Sequence, residues 1–236
     1  MNPLPFILLA ISLPLLLGGC GEKGVNRKEL KADLELPDLI YYLKGSDTPY
    51  TGKAFTLYGN GKKESNQNYK DGRLHGLFIS WRYNGEKWSE TNYKDGKENG
   101  ASVQWYKNGK KESNQNYKDG KLNGLSTTWH ENGKKWSERN YKDGEQEGLQ
   151  TLWHENGQKL RELNYKDGKK EGLQMRWYYN GQKWSEFIFK NGKGKGLAVV
   201  WHKNGQKSAE KNFEDNELIS AKYWNSKGEP IDSEEE

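Results

Sequence analysis

The chain has 236 residues, with 38 basic and 33 acidic side chains and a formal charge of +5. Charges of both signs spread along the chain make a solvated mixed surface, which argues against a nucleic-acid partner. An apolar content of 32% with 28 glycines argues against a thick core, aromatics at 13% in strict register argue against disorder, and a single cysteine allows no intrachain disulfide.

In chain order, residues 1–19 come first. Phe6–Leu17 is almost wholly apolar and runs into Leu17-Gly18-Gly19-Cys20. The run is short for a membrane-spanning helix, which needs about 20 residues. It suits the apolar region of a signal peptide. Leu17–Cys20 resembles the bacterial lipobox. That resemblance implies cleavage before Cys20, lipidation of Cys20 with a diacylglycerol and an N-acyl group, and residence as a bacterial membrane lipoprotein. Gly21 in place of Asp after the cysteine implies the outer membrane. More than one chain is needed for a stable anchor, at about 0.8 kcal/mol per buried CH₂. Met1–Phe6 departs from the pattern in having no Lys or Arg. A plain secretory signal with an incidental cysteine is the alternative.

Residues 20–38 are polar and charged and read as a tether, with room for a short helix over Lys28–Leu36. Residues 39–51 read as a capping strand and turn. Leu39–Leu43 is β-like, and Gly45-Ser46-Asp47-Thr48-Pro49 has turn chemistry.

Residues 52–225 are a repeat array. A leading glycine recurs at Gly52, Gly76, Gly100, Gly124, Gly148, Gly172 and Gly196, a fixed step of 24 residues. Each repeat carries two hairpin-type dipeptides. The first is Asn-Gly, which places turn glycines at Gly61, Gly85, Gly109, Gly133, Gly157, Gly181 and Gly205. The second is Asp-Gly, as at Asp95-Gly96, with Asn191-Gly192 and Asp215-Asn216 as variants. About ten residues separate successive turns, which is strand spacing. The expected fold is all-β: an elongated, twisted antiparallel meander of seven hairpins. With roughly fourteen strands at ~4.8 Å it would be about 65 Å long. Residues 226–236 end in acid and read as a solubilising tail.

Two-residue loops at both turns fix a register. Around Asn84-Gly85, partners then have numbers that add to a constant, so Trp81 faces Trp88 and Gly76 faces Tyr93. One face carries Leu77, Ile79, Trp81 and Trp88 and is expected to be the better buried. The other carries Tyr–Gly pairs, the aromatic folding over the glycine. Trp81, Trp88, Trp105, Trp129, Trp136, Trp153, Trp177, Trp184 and Trp201 form a candidate ladder for packing or for interaction, since Trp and Tyr dominate binding hot spots.

Other constellations read as structural. His130, His154 and His202 occupy one repeat position. Equivalent strands lie about 9.6 Å apart, too far for parallel histidines to share a zinc that needs each nitrogen at about 2 Å. Glu90, Glu138, Glu162, Glu186 and Glu210 recur beside lysines, which suggests cross-strand ion pairs rather than a carboxylate pair for glycoside hydrolysis. No nucleophile elbow, zinc helix motif or phosphate loop is present. The reading assigns no catalytic residue, cofactor or metal.

Tyr93-Lys94-Asp95-Gly96-Lys97-Glu98-Asn99-Gly100 resembles a MORN repeat. The fuller Gly76–Lys97 unit, and the entry segment Tyr42–Lys53, are similar to the bacterial MORN-variant type found in antitoxins of the YwqK family. The resemblance covers about Tyr41–Trp224 and implies an elongated twisted sheet with a scaffolding or interaction role. An extra residue between Tyr and the first Gly departs from the eukaryotic pattern, which weakens any carry-over of phosphoinositide binding. The resulting expectation is a non-enzymatic, lipid-anchored scaffold that binds an unidentified envelope protein. The alternatives are a cell-wall glycan-binding module and a toxin-neutralising protein.

Overall fold

The computed structural model describes residues 24–35 and 38–233. The segment 1–19 and Cys20 lie outside the described residues, as do the last three residues of the tail. The described chain forms one 22-stranded sheet and a separate two-stranded ribbon. From Gly52 to Ile231, strands follow one another in chain order as antiparallel neighbours. The all-β meander expected from the repeat is the fold.

The strand number exceeds the expected fourteen because most return strands are broken. Arg73–Leu74 and Gly76–Trp81 both pair with Lys63–Lys70, but in different registers. Lys70 pairs with Arg73, and Ser65 pairs with Ser80. Two residues, His75 and Gly76, are therefore inserted as a bulge. Gly76 has φ +88° and the equivalent Gly148 has φ +78°, a region that costs any other residue strain. No heavy atom lies within 4 Å of where a Cβ on Gly148 would stand. The backbone angle, rather than an aromatic lying close over it, is what requires this glycine. The expected pairing itself is present: Gly76 is opposite Tyr93 and Gly148 opposite Tyr165.

The two turn types differ. At the Asp-Gly turns both central residues have positive φ, as at Asp95 (51°) and Gly96 (82°). That is a two-residue mirror-image turn matched to strand twist. At Asn84-Gly85 only the glycine is left-handed. The Arg82 N–H donates to the Glu86 carbonyl and the Gly85 N–H to the Arg82 carbonyl, so Tyr83-Asn84-Gly85 is a three-residue loop. The Glu86 N–H donates to Asn84 Oδ1, which explains the asparagine.

This longer loop corrects the register at the loop end. Trp81 pairs with Lys87, not Trp88. The shift lies between Ser80 and Trp81, and Trp88 is the extra residue. Beyond it Ser80 meets Ser89, and the expected numbering holds back to Gly76. The bulge carries Trp88 over to the face of Ser89 and Tyr93.

The buried face is the Tyr-bearing one, which reverses the expectation. Leu163 and Ser137 there are 0% and 1% exposed, whereas Leu149 and Leu197 on the other face are 52% and 50% exposed. Among the described residues no second layer covers this sheet, so a side chain is covered by its taller neighbours. The Tyr face alternates short Ser, Thr and Ala with tall aromatics. Short residues meet as hydroxyl pairs, Thr128–Ser137 at 2.6 Å and Thr91–Ser102 at 2.9 Å.

The charged segment expected as a tether is structured in its described part. Val25–Asn26 pairs in parallel with Gly52–Leu57, Arg27–Glu29 makes one 3-10 turn in place of the short helix, and Leu30–Glu35 pairs with Asp38–Leu43. The cause is an apolar end on the array. Leu30 buries against Ala54 and Tyr69, with Val25, Tyr41, Tyr50 and Leu74 around them. At the far end Pro230–Ile231 pairs with Glu217–Trp224, so the sheet runs into the segment expected as a free tail.

Candidate functional site

The array presents a turn edge and two faces. Along the Asn-Gly edge, one position per repeat sends a donor to the next repeat. Tyr58 Oη donates to the Trp81 carbonyl at 2.7 Å, Arg82 Nη2 to Trp105 at 2.6 Å, and Tyr106 Oη to Trp129 at 2.7 Å. The histidines hold the same place. His130, His154 and His202 donate through Nε2 to the carbonyls of Trp153, Trp177 and Trp224, at 3.1, 3.3 and 2.8 Å. A carbonyl only accepts, so this contact fixes the protonated nitrogen. The histidines are inter-repeat ties, and sequence reading that compared His only with His missed the shared donor role of Tyr and Arg. Asn108, Asn132 and Asn156 add side-chain bonds to carbonyls of the following turn.

The Leu-bearing face carries Trp105, Trp153, Trp177 and Trp201, each under a lysine of the preceding repeat. Lys87 Nζ lies 5.3 Å from the Trp105 ring centroid, Lys135 5.7 Å from Trp153, Lys159 5.6 Å from Trp177 and Lys183 5.2 Å from Trp201. The same lysines pair with Glu90, Glu138, Glu162 and Glu186 three residues on. The ion pairs expected across strands lie within one strand. Lys207 extends the row, pairing with Glu210 and lying 5.7 Å from the Trp224 ring. Cation, carboxylate and indole are thus satisfied internally.

The Tyr-bearing face carries Trp88, Trp136 and Trp184. The expected single ladder is therefore two separate sets on opposite faces. These three rings meet arginines: Arg82 over Trp88 at 5.7 Å, Arg139 over Trp136 at 5.8 Å and Arg176 over Trp184 at 5.4 Å. Arg161 stands directly opposite Arg176 on the neighbouring strand. Burial, with Arg161 beside it, holds the Arg176 guanidinium below its ordinary value. At the other end of this face burial raises the Glu98 carboxyl and the Tyr93 and Tyr117 phenols above their usual ranges. In the cap, burial pushes the Tyr69 phenol up to about 12.

Sequence reading passed over these arginines. The available signal was departure from the repeat: Arg161 occupies the slot of Ser65, Ser89, Ser113, Ser137 and Ser185. The expected turn glycines, Gly61 and Gly85 through Gly205, all sit in the three-residue loops with positive φ.

Stacked hairpins of fixed length, tied edge to edge and bearing no second layer among the described residues, define an open β-repeat protein. Four consecutive stretches, residues 98–119, 122–143, 146–167 and 170–191, match the family model described as MORN repeat variant. Each matched stretch starts just after one Asp-Gly turn and ends at the Asp or Asn that opens the next, so it coincides with one structural hairpin. Repeats of this kind are generally protein- or membrane-binding modules and make a scaffold rather than an enzyme fold. No curated protein matches the chain.

Proposed function

We propose that the chain is a non-enzymatic scaffold, lipid-anchored through Cys20 in the bacterial envelope, that binds another envelope protein through the Tyr-bearing face. The observation that carries this is exposed indole beside guanidinium. Trp88, Trp136 and Trp184 are 46%, 42% and 38% exposed and each abuts an arginine. Trp, Tyr and Arg are the residues most enriched in interface hot spots. The opposite face offers less, because its lysines and glutamates already neutralise one another.

The test is in-cell crosslinking and pull-down of the full chain with mass spectrometry, alongside Cys20→Ala. A dominant protein partner, lost in Trp136→Ala/Trp184→Ala, is the expected result. Retention of the Cys20→Ala chain on membranes would sink the anchor. Glycan binding is the second reading, favoured by the same exposed indoles. It expects co-sedimentation with peptidoglycan and competition by soluble sugar.

A further inference from the structure

The middle of the Tyr-bearing face carries polar groups that the chain leaves unmatched. Arg139, Arg161 and Arg176 lie on the strands Lys135–Lys142, Lys159–Lys166 and Gly172–Trp177. Their cross-strand neighbours are Ser126, Leu152 and Ser185, apart from the direct Arg161–Arg176 pair. Among the described residues none of the three has a carboxylate partner, and the Nε of each is buried without an acceptor. Like charges directly opposite on a sheet are destabilising, and a buried donor without an acceptor is costly. Gln150 and Gln174, both 4% exposed, stand on the same face, and the Oε1 of each is buried without a donor. Gln174 is one position along its strand from Met175 and two from Arg176, so it shares that residue's face.

Unmatched donors and unmatched acceptors in one patch call for a ligand that brings both. A simple anion supplies acceptors only, and would meet the glutamine oxygens unfavourably. An acidic peptide supplies carboxylates for the guanidinium forks and backbone N–H groups for the glutamine oxygens. Trp136 and Trp184 at the rim offer it apolar contact. From Lys135–Lys142 to Lys183–Lys190 is four strand steps, about 19 Å, which about six extended residues span. Deepening the scaffold reading and resting on it, we propose that Arg139, Arg161 and Arg176, rimmed by Trp136 and Trp184, dock an acidic extended segment of the partner protein. Small rotamer changes of the arginines and glutamines on binding complete the contacts.

The test uses fluorescein-labelled hexaglutamate and the full chain in detergent, followed by fluorescence anisotropy. Saturable binding that weakens between 50 and 300 mM salt is expected, with at least a tenfold loss in Arg161→Gln/Arg176→Gln. Lys159→Gln/Lys183→Gln, on the opposite face, should bind within twofold of the parent. The arginine double variant removes a like-charge pair and should melt no lower than the parent; if it does melt lower, Arg139→Gln on a separate strand gives the same readout. Equal binding by parent and arginine variants overturns the proposal. So does arginine-dependent capture of phosphatidylglycerol vesicles without capture of hexaglutamate. A crosslinked protein partner that survives Arg161→Gln/Arg176→Gln overturns the strip while leaving the scaffold intact. Hexaglutamate binding with no protein partner in cells overturns the scaffold reading instead.

Discussion

On the face that carries Leu77 and Trp105, Lys87, Lys135, Lys159, Lys183 and Lys207 are each held by a glutamate on the same strand and each cover an indole further along the array. On the face that carries Tyr93 and Trp136, Arg139 and Arg176 lie beside indoles, Lys170 lies over the Phe189 ring, and Arg161 and Arg176 confront each other. The faces share one backbone and one period. They differ because the bulge after each Asn-Gly loop moves one side chain per repeat across the sheet. Where that residue is Trp, an indole joins the buried face and stands exposed at its rim. One face pairs its row of lysines with carboxylates, and the other sets Arg161 against Arg176 without one among the described residues.

The largest expected effect separates the faces by burial. Leu163→Ala should cost about 2–5 kcal/mol in urea unfolding, while Leu149→Ala should stay within about 0.5 kcal/mol. Equal losses would remove the asymmetry on which the comparison rests. Next come the glycines of the two bulge and turn types. A Cβ at Gly72 would lie 2.4 Å from Ile40 Cγ2 with φ at +73°, whereas one at Gly148 meets open space with φ at +78°. Gly148→Ala should cost about 1–2 kcal/mol from backbone strain alone, and Gly72→Ala should cost more and also loosen the cap, seen as faster hydrogen exchange of Tyr41 and Tyr50.

A smaller effect concerns pH. The Tyr69 phenol is raised to about 12 in the folded chain by burial, with Arg27 acting in the opposite direction. A group whose folded value lies above its unfolded value near 10 contributes stability that is complete below pH 10 and lost as pH rises towards 12. The melting temperature should therefore fall across pH 10–12, and fall less in Tyr69→Phe. A parallel fall in both chains would place the alkaline sensitivity elsewhere. The smallest effects differ in sign between the faces. Lys135→Gln removes a cation–π contact and a half-exposed ion pair, and should cost about 0.5–1 kcal/mol. Arg161→Gln should leave stability unchanged or raise it by a few tenths of a kcal/mol. A clear loss in Arg161→Gln would mean that the guanidinium is already satisfied.

The legible part of the fold was local. The step of 24 and the positions of Asn-Gly and Asp-Gly mark every turn, because positive φ is cheap only for a few residues. The opposition of Gly76 and Tyr93 followed from counting. Counting failed at Trp81, where a three-residue loop and a bulge cancel: the register error is confined to the loop end and hides itself further along the strand. It also failed to show that Gly76 belongs to a second bulge, since the two inserted residues preserve the face. The donor row of Tyr58, Arg82 and His130 escaped notice because its members share a function and not a residue type.

By itself the sequence determined the period, the turn sites, the antiparallel order and which glycines tolerate left-handed backbone, all of which depend on residues close along the chain. Only the tertiary structure decided which face is buried, that Trp81 and Trp88 part company, that the charged stretch from Val25 to Glu35 folds against the first repeat, and that three arginines gather without a carboxylate among the described residues. Those outcomes depend on bulges adding one or two residues to a strand and on the heights of neighbours several strands away. A single-layer sheet has no opposing wall to announce its inner face in the hydrophobic pattern, so burial follows from the height of each side chain's neighbours rather than from its own polarity.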